Sequence, residues 1–419
     1  MLKGNYLIRE FKGQRYFLNL ENTLEISKIP PNSYNLLFNV EKSTKRKINY
    51  FILHINDGCN MKCSYCFEKE KTATKMKIKT IKELINFINT NPNVDSEINI
   101  RFFGGEPLLR INFIKISLAL FDKNIKWKKV KYNIFTNGTL INEEVLNLME
   151  QYDLILLISI DGVKDIHDKN RKFFNGSGTH HIVEKNILKV LKKFPNRIIT
   201  RSVLSFSDFD SFSQNIQYIS SLGVRQISFV LPWGEKIDED KDFESIINKI
   251  DIFFERFLLK IKNHEFDWLG IHPISTTLFS LLNNSQCFDN RTCGAGYETI
   301  SIGTDSKIYP CHSFIYNKDF KIGDLKKNKI NLKNLLGNGD CDSLKQCKTC
   351  DIKYLCKIRC YADNYLTNNN LEKNNLLKCR LEKYFIDSIC NLILQLNDFP
   401  AEKRLIKLIE KKYRLKGYV

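Results

Sequence analysis

Short apolar runs recur along the middle of the chain, and segments with helical periodicity separate them. Six of these runs have the length of buried strands, and five intervening segments repeat apolar residues every three or four positions. Strands that alternate with helices in this way lie parallel and are joined by right-handed crossovers. The pattern therefore predicts an α/β fold, an incomplete, TIM-like (β/α)6 barrel. The strands are predicted at Ile48–Ile55, Ile98–Phe103, Val130–Phe135, Leu154–Ile160, Ile198–Val203 and Gln226–Leu231, and the helices at Ile78–Ile88, Phe113–Phe121, Glu143–Met149, Ile182–Leu191 and Phe212–Leu222.

Other patterns flank this alternation and divide the chain into parts. We expect a small β-rich segment over 1–47, the barrel over 48–235, a helical linker over 236–285, a cysteine-rich domain over 286–385 and a helical segment over 386–419. The first segment either caps the barrel or binds a peptide along a strand edge. The β-rich segment is predicted from the alternating runs Tyr6–Arg9 and Tyr16–Leu20. The C-terminal helical segment is predicted from the apolar positions Leu392, Leu394, Ile406 and Ile409.

Composition places the chain among soluble globular proteins. It has 419 residues, of which 43% are hydrophobic and 27% charged. The longest apolar run, Leu154–Ile158, is too short to span a bilayer, and the N-terminus lacks the apolar core of a secretory signal. We therefore expect a cytosolic protein with no membrane contact.

The formal net charge of +18 has three interpretations. Scattered lysines favour an ordinary solvated surface, and no aromatic-basic motif for RNA is present, so nucleic-acid binding is not expected. A basic surface also attracts an acidic peptide or protein substrate.

The chain contains 13 cysteines, an odd and unusually high number. In a reducing compartment, dense and regularly spaced cysteines indicate metal binding rather than disulfides.

Three of these cysteines, Cys59, Cys63 and Cys66, have the spacing C-x3-C-x2-C directly after the first predicted strand. Three thiolates can hold three irons of a [4Fe–4S] cluster, and the fourth iron then stays open to a substrate or cofactor. Structural zinc sites use four ligands instead. The spacing therefore favours a catalytic cluster.

Three further motifs stand at the ends of the next strands. Gly104-Gly105-Glu106-Pro107 follows the second strand, Thr136-Asn137-Gly138-Thr139 the third, and Ser159-Ile160-Asp161-Gly162 closes the fourth. Parallel α/β barrels carry their active sites at this end of the strands. The four motifs therefore predict one site.

The cysteine loop and these motifs resemble those of the radical S-adenosylmethionine (SAM) enzymes, and the resemblance covers nearly all of the chain after residue 47. It implies a cluster that chelates SAM through its open iron and cleaves it to a 5′-deoxyadenosyl radical. It also implies that Tyr65 lies beside the adenine, although Tyr65 is alternatively a packing aromatic next to the cluster. The backbone of Gly104, Gly105 and Glu106 would contact the methionyl amine.

Ser159 and Arg171 are twelve residues apart, with Asp161 between them. In related peptide-modifying enzymes, a serine and an arginine at this spacing bind the ribose and the carboxylate of SAM, and the guanidinium fork suits a carboxylate. The alternatives are a surface ion pair for Arg171 and a turn cap for Asp161.

A second group of cysteines follows the barrel. It contains the pattern C-x2-C-x5-C-x3-C, and with Cys379 and three upstream cysteines it totals eight, enough for two four-ligand clusters. This layout resembles the SPASM domain. The resemblance implies an auxiliary cluster I on Cys287, Cys293, Cys311 and Cys360, and an auxiliary cluster II on Cys347, Cys350, Cys356 and Cys379.

The two auxiliary clusters would relay electrons, and cluster I would have an open iron if Cys287 is not a ligand. The hairpin predicted over Thr299–Tyr309 would lead to Cys311. Cys341 and Cys390 remain as ordinary thiols. Zinc is the alternative occupant of this region, although the spacings do not pair like a zinc ribbon.

The residue after Cys311 bears on the reaction. Anaerobic sulfatase maturases carry an aspartate there, whereas this chain has His312, in a Tyr-Pro-Cys-His segment that resembles maturases of ribosomally made peptides. His312 is a candidate base or, equally, a hydrogen-bonding histidine beside a cluster.

These features predict an oxidoreductase that forms an intramolecular bond, such as a cysteine thioether, in a precursor peptide. Its electron donor would be a protein such as flavodoxin or ferredoxin. The alternatives are a sulfatase maturase that forms formylglycine and a non-catalytic iron–sulfur or zinc protein that binds peptide or nucleic acid.

Overall fold

The computed structural model of the chain describes most of the barrel and the flanking elements. The described residues are 2–3, 6–11, 14–19, 26–27, 47–68, 74–232, 234, 239–282, 293–315, 317–331, 345–350, 352–353, 355–356 and 359–396.

The N-terminal part forms an antiparallel sheet of its own, with the strand order β1-β2-β3-β4. Both strand-like runs predicted here are strands, and Phe11 joins the sheet to the C-terminal helix through an edge-to-face contact with Tyr384, with ring centroids 5.1 Å apart. The strands are β1 Leu2–Lys3, β2 Tyr6–Phe11, β3 Gln14–Asn19 and β4 Ile26–Ser27.

The six strands predicted for the barrel are all present, and each lies parallel to the next along the chain. The five predicted helices cross between them, and the short helix α4 adds a sixth. These elements confirm the α/β barrel architecture. They are β5 Ile48–Asn56, α1 Ile78–Thr90, β6 Val94–Gly104, α2 Ile111–Asn124, β7 Lys129–Thr136, α3 Glu143–Tyr152, β8 Ile155–Ser159, α4 Lys164–Asn170, α5 His180–Lys193, β9 Ile198–Val203, α6 Phe212–Ser221 and β10 Ile227–Val230.

The region predicted as a helical linker contains two helices, α7 Glu239–Lys262 and α8 Ile274–Leu282. It also contains a strand, β11 Ile271–His272, that pairs in parallel with β10. A two-residue strand has too little periodicity to be recognised in the sequence. Trp268, just before β11, stacks on Phe253 of α7 with the ring centroids 5.0 Å apart. Phe253 in turn contacts Phe212 of α6, with the centroids 4.8 Å apart, which packs this region onto the barrel.

The predicted hairpin consists of β12 Thr299–Ile302 and β13 Lys307–Tyr309. It is not separate from the barrel, because β12 pairs in parallel with β5 and extends the barrel sheet. Two short strands, β14 Gly323–Asp324 and β15 Lys329–Ile330, continue the same sheet at its edge. The first strand of the cysteine-rich part is therefore a direct neighbour of the strand that leads to Cys59.

Two helices close the described chain, α9 Tyr361–Asn368 and α10 Leu376–Leu396. The boundary predicted between residues 385 and 386 falls inside α10. Of the four apolar positions predicted for the C-terminal segment, Leu392 and Leu394 are buried in the core. The other two, Ile406 and Ile409, lie outside the described residues.

Polar contacts tie these two helices to the barrel. Lys378 of α10 donates to the carbonyl oxygen of Pro232, just after β10, at 2.7 Å and to Asp363 of α9 at 2.7 Å. Both side chains are buried, so the pair fixes the position of the cysteine-rich part against the barrel. Across the described part of the chain, none of the helices combines the length and the apolar character needed to cross a membrane.

Candidate functional site

The loop that carries Cys59, Cys63 and Cys66 follows β5 and is clamped by the glycine pair after β6. The Gly105 N–H donates to the Asn56 carbonyl at 2.7 Å, and the Glu106 N–H donates to the Gly58 carbonyl at 2.9 Å. A Cβ atom on Gly104 would lie 2.2 Å from the Asn56 carbonyl oxygen, and one on Gly105 would lie 2.3 Å from that of Gly58. Only glycine permits this approach of two backbones.

Glu106 links the ends of β6 and β7 from a fully buried position. Its carboxyl oxygens accept hydrogen bonds from the Leu108 N–H at 2.9 Å, the Thr136 hydroxyl at 2.8 Å and the Asn137 N–H at 2.7 Å. Burial raises the pKa of Glu106 to about 7, against the opposing effect of these donors. The side chain therefore positions two strand-end loops.

Asn137 is a site residue to which the sequence analysis gave no individual role. Its amide donates to Asn60 Oδ1 at 2.8 Å and lies 3.8 Å from Cys59 Sγ. The Met61 N–H is a second donor, 3.4 Å from the same sulfur. Hydrogen bonds to a thiolate sulfur tune the potential of an iron–sulfur cluster.

His54 is a second residue that the sequence analysis missed. It is fully buried in β5, with Nε2 3.0 Å from Asp57 Oδ1 and Nδ1 3.7 Å from Glu68 Oε1. Asp57 precedes the three cysteines and Glu68 follows them. His54 thus lies beside both ends of the cysteine loop, at hydrogen-bond distance from Asp57 and farther from Glu68. Only its position at the end of a strand marked it in the sequence.

The predicted SAM-pocket residues Tyr65, Asp161 and Arg171 come together in one buried network. Arg171 donates to Asp161 through Nε at 2.9 Å and Nη2 at 3.1 Å, and the Tyr65 hydroxyl also donates to Asp161. The Arg171 side chain is buried rather than on the surface, and Asp161 accepts from the Val203 N–H of β9 at 3.0 Å instead of capping its own turn. The surface ion pair offered as the alternative for Arg171 and the turn cap offered for Asp161 are therefore both wrong.

The burial and charges of this network determine the protonation states of Arg171 and Tyr65. Burial opposes the charged form of Arg171, but Asp161 outweighs it and the pKa of Arg171 is raised. Burial also raises the pKa of Tyr65 well above its ordinary value, so its hydroxyl stays protonated and donates. The pairing uses two of the nitrogens predicted to bind a SAM carboxylate.

His167 supports this network from α4, and no signal in the sequence marked it. Its Nδ1 accepts from the Asp161 N–H at 3.3 Å, and its Nε2 lies 3.0 Å from the Thr179 hydroxyl. Burial, helped by Arg171, lowers the pKa of His167 to about 3, so the ring is neutral. Ser159 ends β8 nearby and is partly exposed, and its hydroxyl has no hydrogen-bond partner in the described part of the chain.

Three cysteines predicted for auxiliary cluster I lie close together. The Cys293 residue is exposed to solvent, but protein surrounds its thiol, and burial of the thiol and the neighbouring Cys311 thiol raise the pKa of Cys293 to about 11. Burial followed by the Cys293 and Cys311 thiols raises the pKa of Cys360 further. The fourth predicted ligand, Cys287, lies outside the described residues.

The cysteines predicted for auxiliary cluster II also form a group. Burial and the thiols of Cys347 and Cys350 raise the pKa of Cys379 to about 12. Cys356 packs with Cys350 against the main hydrophobic core. The Asn374 amide lies 3.1 Å from Cys347 Sγ.

The described cysteines carry no disulfide, and Cys390 is buried in the core as an ordinary thiol. Cys341 lies outside the described residues. Within the described ranges, no group of three or more His, Cys, Asp or Glu side chains is arranged to hold a metal ion. A [4Fe–4S] cluster places its ligands on separate irons and so needs cysteines around a space rather than around a point.

His312 lies between the barrel and the cysteine-rich part. Its ring contacts Phe103 of β6 and Phe67 of the cysteine loop, with centroids 4.7 Å and 5.7 Å apart. Its Nδ1 is 3.7 Å from Cys311 Sγ. Burial lowers the pKa of His312 to about 4, which keeps the imidazole neutral.

The chain is similar to known proteins in both sequence and fold. The profile of the Radical SAM superfamily matches residues 53–210. An uncharacterised protein of Methanocaldococcus jannaschii is 30% identical over 222 residues, which are 52% of this chain and 74% of that protein. A cysteine-type anaerobic sulfatase-maturating enzyme of Clostridium novyi is 24% identical over 376 residues, covering 83% of this chain and 96% of the enzyme.

Two solved structures share the fold. Native anSMEcpe with bound AdoMet and Cp18Cys peptide has a TM-score of 0.66 at 22% identity, and the match covers 87% of this chain and 99% of that chain. Streptococcus suis SuiB bound to precursor peptide SuiA has a TM-score of 0.54 at 16% identity, with 78% of this chain and 75% of that chain covered.

Proposed function

This chain belongs to the radical SAM superfamily, and we propose that it is a maturase that forms a cysteine thioether or a related cross-link in a ribosomally made precursor peptide. The observation that carries the proposal is His312, which stands where sulfatase maturases have an aspartate and which packs at the mouth of the barrel between Phe67 and Phe103. Membership in a superfamily of enzymes removes the non-catalytic alternative.

The cysteine loop fits a [4Fe–4S] cluster. Cys59, Cys63 and Cys66 are all partly exposed on a loop whose ends are fixed. Donors from Met61 and Asn137 aim at Cys59 Sγ, as they do at cluster thiolates. When bound, the cluster supplies one electron that cleaves SAM to a 5′-deoxyadenosyl radical, which takes a hydrogen atom from the substrate.

The chain's own residues would position SAM and exclude water from it. Tyr65 is fixed by Asp161 beside Cys66, and the partly exposed hydroxyl of Ser159 is available for a ribose. Because Asp161 already neutralises Arg171, the role predicted for Arg171 becomes that of holding Tyr65 and Asp161 as much as binding a carboxylate.

Thioether formation removes two hydrogens from the peptide. One hydrogen atom goes to the 5′-deoxyadenosyl group, the thiol proton goes to a base, and one electron must leave as the carbon–sulfur bond closes. The grouping of Cys293, Cys311 and Cys360 next to His312 supports an electron acceptor at that position.

The runner-up function is sulfatase maturation, which the 96% coverage of the Clostridium novyi enzyme favours. Anaerobically reconstituted protein, supplied with dithionite and SAM, is expected to produce 5′-deoxyadenosine, whereas a Cys63→Ala variant produces none and Cys390→Ala matches the wild type. With a cysteine-containing sulfatase peptide, we expect no formylglycine. Formylglycine in that peptide would replace our proposal with the runner-up, and absence of 5′-deoxyadenosine would end both.

A further inference from the structure

A row of polar side chains crosses the barrel sheet two positions below the end of β9. Arg201 is the register partner of Ser159 on β8 and of Ser228 on β10, and Ser228 is the partner of His272 on β11. Partners in a parallel sheet project to the same face. The Arg201 guanidinium donates to the Ser228 hydroxyl at 3.1 Å, which confirms that both point to the same side.

A second arginine faces this row across the barrel. Arg101 lies on β6, three strands from β9, which is about 14 Å along a sheet. Burial and the charge of Arg101 nevertheless lower the pKa of Arg201 to about 10. His312, at the mouth of the barrel, feels the charges of both arginines and the opposite charge of Glu68. The strand register agrees, because Asn133 pairs with both Arg101 and Ile155, and Ile155 lies on the same face of β8 as Ser159, the partner of Arg201. Both arginines therefore project to the lumen face of the sheet.

An enclosed cation without a counter-charge is costly, so an arginine that forms no ion pair inside the barrel favours the binding of an anion. Within the described ranges, no carboxylate lies at ion-pair distance from Arg201. Arg171 provides the contrast in the same barrel, because Asp161 binds it with two hydrogen bonds. Arg101 and Arg201 are both partly exposed, so a ligand can reach them.

The floor beside Arg101 also offers an unsatisfied polar group. Asn133 of β7 is the register partner of Arg101 and is only 2% exposed, and its Oδ1 has no hydrogen-bond partner among the described residues. A buried amide oxygen without a hydrogen bond destabilises the protein, and a polar ligand that donates to it would remove that penalty. The Arg101 guanidinium is held from its other side by the Tyr50 ring, 4.2 Å away.

We propose that Arg101 and Arg201, together with Ser228 and Asn133, form a carboxylate-binding site in the barrel lumen that receives an acidic group of the peptide substrate. The guanidinium fork matches a carboxylate with two hydrogen bonds, and two forks fix its orientation. The site lies between Ser159, at the predicted SAM pocket, and Cys360, in the predicted cluster I group, whose charge also acts on Arg201. The assignment rests on the proposed function, because it names the substrate of that same lumen.

The net charge of +18 supports the same class of substrate. A basic protein attracts an acidic peptide over distances of about one Debye length, near 10 Å at ordinary ionic strength. The lumen arginines would then convert this general attraction into a positioned contact.

The test uses fluorescent decapeptide pools with glutamate or glutamine fixed at the central position and amidated C-termini, and measures anisotropy on the reconstituted holoenzyme with saturating SAM. We expect the glutamate pool to bind about tenfold tighter. Arg201→Gln and Arg101→Gln should abolish this preference, and Arg201→Lys should keep part of it. Arg256→Gln removes the same charge from an exposed helix position and should keep all of it.

A second measurement tests whether the site binds the carboxylate of the peptide or the carboxylate of SAM. The dissociation constant for SAM, measured without peptide, should be unchanged in Arg201→Gln, since SAM is not the ligand of this site. Equal binding of the glutamate and glutamine pools by the wild type would overturn the proposal. So would a weaker SAM affinity in Arg201→Gln if the wild type shows no preference for the glutamate pool. Failure to make 5′-deoxyadenosine is a separate result, which removes the proposed function and leaves the pool comparison readable.

Discussion

At the scale of single residues, buried polar groups around the cysteines hold the predicted site together. Their sequence signals were weak because each lies in an ordinary context, such as His54 in a strand or His167 in a short helix. Asp161 and Arg171 were recognised by spacing, but their mutual ion pair was not, because partners ten residues apart are joined only by the fold. The motifs therefore predict the site, and the structure shows the contacts that hold its residues in place.

Glu106 offers a direct test of these supports. A glutamine at this position would present an amide nitrogen to N–H donors that now meet a carboxyl oxygen. We expect Glu106→Gln to lower the free energy of unfolding by about 2–3 kcal/mol, measured by urea denaturation. Glu255→Gln, at an exposed helix position, is the matched control and should leave it unchanged.

His167 predicts how stability depends on pH. Its pKa is about 3 in the folded protein, below the ordinary value of 6.5 that applies when unfolded. As the pH falls, the unfolded chain therefore binds the extra proton before the folded protein does. The contribution of His167 to the free energy of unfolding is complete above pH 6.5 and is lost as the pH falls toward 3. The slope is about 1.4 kcal/mol for each pH unit.

The measurement is urea unfolding between pH 4 and pH 7 on the wild type and on His167→Gln, which keeps an acceptor and a donor. The difference in the free energy of unfolding between the wild type and His167→Gln should become smaller as the pH falls. A constant difference across this range would show that His167 is not held neutral by the fold.

At the scale of elements, hydrophobic periodicity was sufficient for the six long strands and their helices. It was insufficient for β11, which has two residues, and for the pairing of β12 with β5, which joins segments far apart in the sequence. Strand pairing at that distance depends on which edge of the sheet remains available, and no local pattern reports this.

The glycine pair after β6 tests whether one element positions another. Gly105→Ala puts a Cβ atom 2.3 Å from the Gly58 carbonyl, so the cysteine loop must move. We expect the variant to keep its circular dichroism and to lose most of the iron bound by the loop, measured as iron and sulfide per chain. Gly176→Ala is the control, because its Cβ would meet no atom within 4 Å and the strain from its positive φ of 84° stays in its own turn. Iron loss there would contradict this account.

At the scale of the whole molecule, the barrel and the cysteine-rich part share one sheet and are joined by the hydrogen bond from Lys378 to the Pro232 carbonyl. This continuity would hold the predicted auxiliary clusters at a fixed distance from the lumen. If all three predicted clusters form, reconstituted protein should contain about 12 irons per chain. Cys360→Ala should lose about four of them and still cleave SAM reductively, whereas Cys390→Ala should lose none.

The measurement that tests the central claim most directly is the mass of a small cysteine-containing peptide encoded beside this gene, after co-expression with the wild type or with Cys63→Ala. We predict a peptide lighter by two hydrogens only with the wild type, with the cysteine resistant to alkylation. An unmodified peptide from cells whose purified enzyme makes 5′-deoxyadenosine would contradict the claim that this chain cross-links a precursor peptide.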